Sequence, residues 1–137
     1  MTATTIPKPA PMAVNDNSIP VAMKQLDRWV LWSWEWNGTK WDKPPINVHT
    51  GQLASSTNPS TWASFTAAFT AYTDGRSDGV GFVLGRDESA GVTYSGFDFD
   101  KCRGADRELA PWAIHLIQLL DTYTEISPSG RGVKCFT

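Results

Sequence analysis

This chain is short of the features that usually classify a sequence at first sight. It has two cysteines, Cys102 and Cys135, far apart and in no metal-ligand spacing. That excludes a cysteine-built metal site or a disulfide framework and reads as free thiols in a reducing compartment. Neither sign of charge dominates: 12 Lys and Arg stand against 14 Asp and Glu, a formal net charge of −2. No global basic field exists, so a nucleic-acid partner would have to be held by a local patch or a metal. No apolar run approaches transmembrane length and no secretory signal is visible, so the chain reads as cytosolic, with no membrane partner. Repeats are absent. Gly79, Gly81 and Gly85 fit neither the dinucleotide-binding nor the P-loop spacing. What remains is a chain of 137 residues, enough for one domain with one core.

Tryptophan, by contrast, is plentiful. Five of the seven (Trp29, Trp32, Trp34, Trp36 and Trp41) crowd into one segment. Residues 1–18 lack periodicity and read as a disordered arm ahead of a domain spanning 19–137. Pro20 opens a short helix over Val21–Leu26. Arg28–Trp36 alternates as a strand does, Asn37-Gly38 is a hairpin turn, and Thr39–Asp42 returns. The tryptophans serve either as cross-strand pairs over a core or as a stacking platform for bases, and the first reading is favoured. Asn58-Pro59 predicts a helix start, with Trp62, Phe65, Phe69 and Tyr72 on one apolar face. Strands follow at 79–85 and 93–100. A helix is expected over 106–120 with Leu109, Trp112, Leu116 and Leu120 buried. Two short strands, 122–126 and one starting at Val133, close the chain. His115 reads as a helix-surface residue.

The chemistry concentrates in two places. The first is Gly96-Phe97-Asp98-Phe99-Asp100. Side chains alternate along a strand, so Asp98 and Asp100 would share a face, roughly 6.5 Å apart at Cα, while Phe97 and Phe99 enter a core. Many D-x-D pairs are solvated strand ends. Flanking phenylalanines favour a buried strand, where two adjacent carboxylates call for a divalent cation, Mg²⁺ or Mn²⁺. Such a pair can seed a two-metal phosphoryl-transfer site. The second place is Ser127-Pro128-Ser129-Gly130-Arg131-Gly132-Val133-Lys134. Gly130 and Gly132 let backbone N–H groups approach an anion, Ser127 and Ser129 offer hydroxyls, and Arg131 and Lys134 add charge. The turn reads as a phosphate cradle, with a plain hairpin turn as the alternative.

With these motifs in view, the chain from about Ile19 to Thr137 resembles the N-terminal primase-polymerase domain of phage and plasmid replication proteins, in the archaeo-eukaryotic primase superfamily. The resemblance is carried by Trp29-Val30-Leu31-Trp32, Lys43-Pro44, Ala54-Ser55, Asn58-Pro59-Ser60-Thr61-Trp62 and Gly79-Val80-Gly81-Phe82. More specific are Phe97-Asp98-Phe99-Asp100-Lys101-Cys102 and Tyr123-Thr124-Glu125-Ile126-Ser127-Pro128-Ser129-Gly130-Arg131-Gly132, in that order with a helix between them.

The resemblance implies that Asp98 and Asp100 bind catalytic metals and that Ser127, Ser129, Gly130, Arg131, Gly132 and Lys134 hold the phosphates of an incoming nucleoside triphosphate. Lys43 adds charge on weaker grounds. The superfamily's second motif often ends in His; here the position is Lys134, a point charge for phosphate. A third carboxylate is expected on a later strand, beyond the last residue, so the chain reads as C-terminally truncated. The implied fold is α+β, a mostly antiparallel sheet flanked by helices with the acids on its open face. The implied partners are a single-stranded DNA template, nucleoside triphosphates and a helicase domain or subunit. Two other functions stay open: a nucleotide- or single-stranded-DNA-binding module that does no chemistry, and a metal-dependent nuclease.

Overall fold

Bulky side chains that alternate poorly must be covered on both sides, and the centre of the first unit is built that way. The computed structural model describes residues 6–137 and divides into two units, one ending at Val83 and the other beginning at Leu84. In the first, a short helix α1 (Val21–Lys24) leads into β1 (Trp29–Trp32), where Trp29, Val30 and Leu31 are all buried. β2 (Glu35–Trp36) and β3 (Trp41–Asp42) form the expected Asn-Gly hairpin. Asn37 Oδ1 accepts from the N–H groups of Thr39 and Lys40, and Gly38 takes a φ of 98°. Trp36 and Trp41 face each other across it, ring centroids 5.5 Å apart. β4 (Pro45–Ile46), α2 (Phe65–Thr73) and β5 (Gly79–Phe82) complete the unit, with strand order β4-β1-β5. Gly79 is needed where it stands: a Cβ there would meet the Trp32 indole at 2.5 Å.

The helix expected from Asn58 breaks in two. Asn58 accepts from the Ser60 N–H and caps only a 3-10 turn, Pro59–Thr61. The chain turns extended at Trp62, and Ser64 then caps α2 through the Ala67 N–H. Trp62 therefore leaves the predicted helix face; its Nε1 donates to Ser55 O at 2.7 Å and its ring lies under the Arg28 guanidinium at 4.6 Å. Residues 1–5 of the predicted arm lie outside the described residues. From Ile6 onward the arm is tied to the first unit by Lys8 to Asp78 at 3.1 Å and by the Val14 N–H to the Tyr72 hydroxyl at 3.0 Å.

The second unit contains β6 (Gly85–Asp87) paired with β7 (Val92–Tyr94), then β8 (Gly96–Phe99), α3 (Pro111–Leu120), β9 (Thr124–Ile126) and β10 (Val133–Phe136). β10 is the central strand of an antiparallel sheet of order β8-β10-β9. Its core is small: Cys102, Ala113 and Val133, with Phe99, Leu109 and Ile117 packed against them. α3 starts at Pro111, the favoured first helical position, and not at 106. Its buried face centres on Ala113; Trp112, expected inside, is 50% exposed. The fold is thus α+β and antiparallel as expected, but among the described residues the strands form four small sheets in place of one continuous sheet.

Candidate metal and phosphate site

Strand register decides which side chains meet. On β10, Val133 and Cys135 point to the α3 side and are buried, so Lys134 points to the opposite face. Lys134 is directly opposite Asp98 of β8 on one side and Glu125 of β9 on the other. Three charged residues therefore form a row across the sheet on the face turned away from α3. Lys134 Nζ lies 3.8 Å from Asp98 Oδ2, with both side chains partly in solvent.

The two predicted acids do not sit alike. Asp98 lies within β8. Asp100 lies one residue beyond its end, in a turn where Lys101 takes the left-handed φ of 54° that carries the chain out of the ladder. Both acids are exposed, which removes the expectation of a buried strand forcing a cation between them. Phe99 does reach the core and meets Trp112 edge-on, whereas Phe97 is 45% exposed.

The predicted phosphate turn connects β9 to β10 and folds against the same strand end. A Cβ on Gly132 would stand 2.7 Å from Phe99 O, 3.1 Å from Ser127 Oγ and 3.6 Å from the Asp100 Cα. Only a residue without a side chain fits this wedge, and the wedge is what brings the turn beside the acids. Three of the turn's amides are engaged within it. The Gly130 N–H donates to Ser127 O at 2.8 Å, the Arg131 N–H to Ser129 Oγ at 3.2 Å, and the Gly132 N–H to Ser127 Oγ at 3.2 Å. The Gly130, Arg131 and Gly132 N–H groups are therefore not free donors here, and Ser127 and Ser129 spend their oxygens bracing the turn. The exposed Arg131 and the partly exposed Lys134 remain as its cationic side chains.

Two residues that matter to this arrangement were not singled out from sequence. Arg103 clamps the turn from outside, its N–H donating to Arg131 O at 2.9 Å and its Nη1 to Gly130 O at 3.1 Å. Glu125 completes the charged row. Though the residue is exposed, partial desolvation of its carboxyl raises it above the ordinary carboxylate range, against the opposing pull of the Tyr123 hydroxyl, which donates to Oε2 at 3.0 Å, and of Lys134. Burial, with the Glu125 charge and hydrogen bond adding to it, likewise pushes the Tyr123 hydroxyl well up. Lys43 belongs to the first unit, where its Nζ lies 5.0 Å from the Trp34 ring centroid.

With two carboxylates at a strand end and a cationic turn against them, the site has hard oxygen donors and anion-holding groups side by side. Over 113 residues, or 82% of its length, the chain is 31% identical to the DNA primase-polymerase of Nitratiruptor phage NrS-1. The chain is similar to a phage primase-polymerase. It spans 15% of that protein's length. No protein-family model matches it. Among the described residues, no helix is long and apolar enough to cross a membrane.

Proposed function

We propose that the second unit is the metal- and triphosphate-binding part of a DNA primase-polymerase, acting in phage or plasmid DNA replication. The observation that carries this reading is the wedge at Gly132: two motifs 27 or more residues apart are packed so closely that a Cβ on Gly132 would stand 2.7 Å from Phe99 O and 3.6 Å from the Asp100 Cα. The similarity to a phage primase-polymerase supports the same reading.

The donor set fits Mg²⁺ or Mn²⁺. Among the described residues no group of three or more His, Cys, Asp or Glu gathers as a metal cage. Mg²⁺ at phosphoryl-transfer sites is held by one or two carboxylates together with substrate phosphates, so Asp98 and Asp100 would be this chain's share of the ligands. When bound, the metal ions supply activation of the primer 3′-hydroxyl and charge neutralisation on the triphosphate. The chain's own residues do the positioning. Asp98 and Asp100 would hold the ions, Arg131 and Lys134 would add positive charge beside the triphosphate, and Arg103 fixes the turn that carries Arg131. The template is single-stranded DNA, held by local Lys and Arg in a salt-sensitive way.

Calorimetric titration of dATP with and without Mn²⁺ tests the reading, with Asp98→Ala/Asp100→Ala as control. Metal-dependent binding that the double substitution abolishes is the expected result. Binding that ignores both metal and substitution would instead favour a nucleotide-binding module without chemistry, and Mn²⁺-dependent degradation of labelled DNA would favour a nuclease.

A further inference from the structure

A lysine between two carboxylates on a sheet face has a choice of partners. Lys134 is opposite Asp98 and Glu125 at once, and at 3.8 Å its ammonium is on the Asp98 side. A divalent cation arriving at Asp98 would meet that ammonium at close range, and like charges a few ångströms apart repel strongly even at a partly screened surface. The lysine must then leave Asp98. Glu125 is the acid waiting on its other flank, with its carboxyl fixed in place by the Tyr123 hydroxyl at 3.0 Å.

From this row we infer that Lys134 is a resident counter-ion at Asp98 and that Glu125 is the positioning residue that receives it when a divalent cation binds. The inference rests on the proposed metal site and adds a device to it. Before metal arrives, Lys134 neutralises Asp98. Once the metal occupies the carboxylates, Lys134 is drawn towards Glu125. There it stays on the same sheet face, next to the turn that would hold phosphate, and does not swing into solvent. The pairing is particular to a lysine at this position. Its long flexible stem can move between two neighbours, and its ammonium stays charged in both places.

Mn²⁺ binding without nucleotide, followed by electron paramagnetic resonance and calorimetry, tests the inference as a double-substitution cycle on Lys134→Met, Glu125→Gln and the pair. Lys134→Met is expected to bind Mn²⁺ roughly three- to tenfold more tightly, because the competing cation is gone. Glu125→Gln is expected to bind it about threefold more weakly, because Lys134 has nowhere else to go, and this loss should shrink to within about 1.5-fold in the Lys134→Met background. Lys134→Arg keeps the cation and should restore the sensitivity to Glu125. A Glu125→Gln loss of the same size in both backgrounds, or no loss at all, overturns the inference while leaving the metal site standing. Absence of Mn²⁺ binding in both the wild-type protein and Lys134→Met overturns the metal site itself, and the inference with it. Circular dichroism of each variant separates a weakened site from an unfolded one.

Discussion

The first unit is rich in buried apolar side chains and the second is sparing with them. From Ile19 to Val83 the core includes Trp29, Val30, Leu31, Val48, Phe65, Ala68 and Ala71, and Leu31 is among the largest side chains fully out of solvent. From Leu84 onward the buried apolar residues are Cys102, Ala113, Val133 and Cys135, all small or medium. The second unit instead leaves Phe97, Trp112, Ile114, Leu119 and Ile126 substantially in solvent. Apart from Lys43, the candidate metal and phosphate residues are in this lightly packed unit. Stability scales with apolar area removed from water, so the two units should differ in how readily they open. The part that would bind substrate is the part with less holding it shut.

The sharpest way to break this comparison is to cut into the first core. Leu31→Ala should cost about 2–5 kcal/mol, because Leu31 is fully enclosed on β1 and its truncation leaves a cavity. Urea unfolding followed by tryptophan fluorescence reads this directly, since six of the seven tryptophans precede Val83. A cost below about 1 kcal/mol would mean the first unit is not the better packed of the two. Next in size is Gly132→Val. Its side chain would collide with Phe99 O and the Ser127 hydroxyl, and the expected cost is about 1–3 kcal/mol, confined to the second unit. Amide hydrogen exchange should show faster exchange on β10 and no change on β1. A smaller effect is expected from Asp98→Ala/Asp100→Ala in metal-free buffer, within about 0.5 kcal/mol of the parent. Both acids are exposed and the Lys134 pair is partly solvated, so a large loss of stability would show that these carboxylates are structural.

The smallest expected effect concerns pH. The Glu125 carboxyl is raised in the folded protein, chiefly by partial desolvation. A raised carboxyl means that the folded state holds its proton more tightly than the unfolded chain does. Its contribution to stability is present in full below the unfolded value of about 4.3 and is lost as pH rises through the folded value. Glu125 is therefore a slight burden on the second unit at neutral pH. Glu125→Gln should raise the stability of that unit at pH 7, with the gain fading as the pH is taken below about 4. Thermal unfolding at the two pH values measures the difference, and a gain of equal size at both would point to packing and not to charge.

The sequence made local signals legible and left register hidden. Asn37-Gly38 announced its hairpin because Gly38 tolerates the positive φ of 98° and Asn37 Oδ1 braces the loop. The two charged motifs could be located in the sequence, but not that both acids would be exposed, with Asp100 past the end of its strand. The start of α3 was written in Pro111, yet the apolar residues that precede and follow it blurred both the boundary and the buried face. In Trp112-Ala113-Ile114 and Leu116-Ile117, apolar residues occur on every side of the helix, so periodicity alone could not choose Ala113 as its centre. The double start at Asn58 and Ser64 was missed because each carries a capping signal and the earlier one is strengthened by Pro59. Glu125 was quoted within a motif without being given a role. Its place depends on the six residues between Ile126 and Val133, which set Ile126 opposite Val133 and so Glu125 opposite Lys134. Counting back from that turn would have found it. Arg103 offered no such route, because its partners are carbonyls 27 and 28 residues away.

The two cysteines give the sparsely packed unit a clock of its own. Both thiols are free, and both are enclosed in the second unit, Cys135 on β10 opposite Phe97 and Cys102 just past the acids. A thiol reagent in solution can reach them only while the sheet is parted or the strand end has lifted. The rate of modification therefore counts excursions of the second unit in an otherwise unlabelled protein. A nucleotide that settles against the Ser127–Gly132 turn should slow that count, because it would hold closed the strands that have to part.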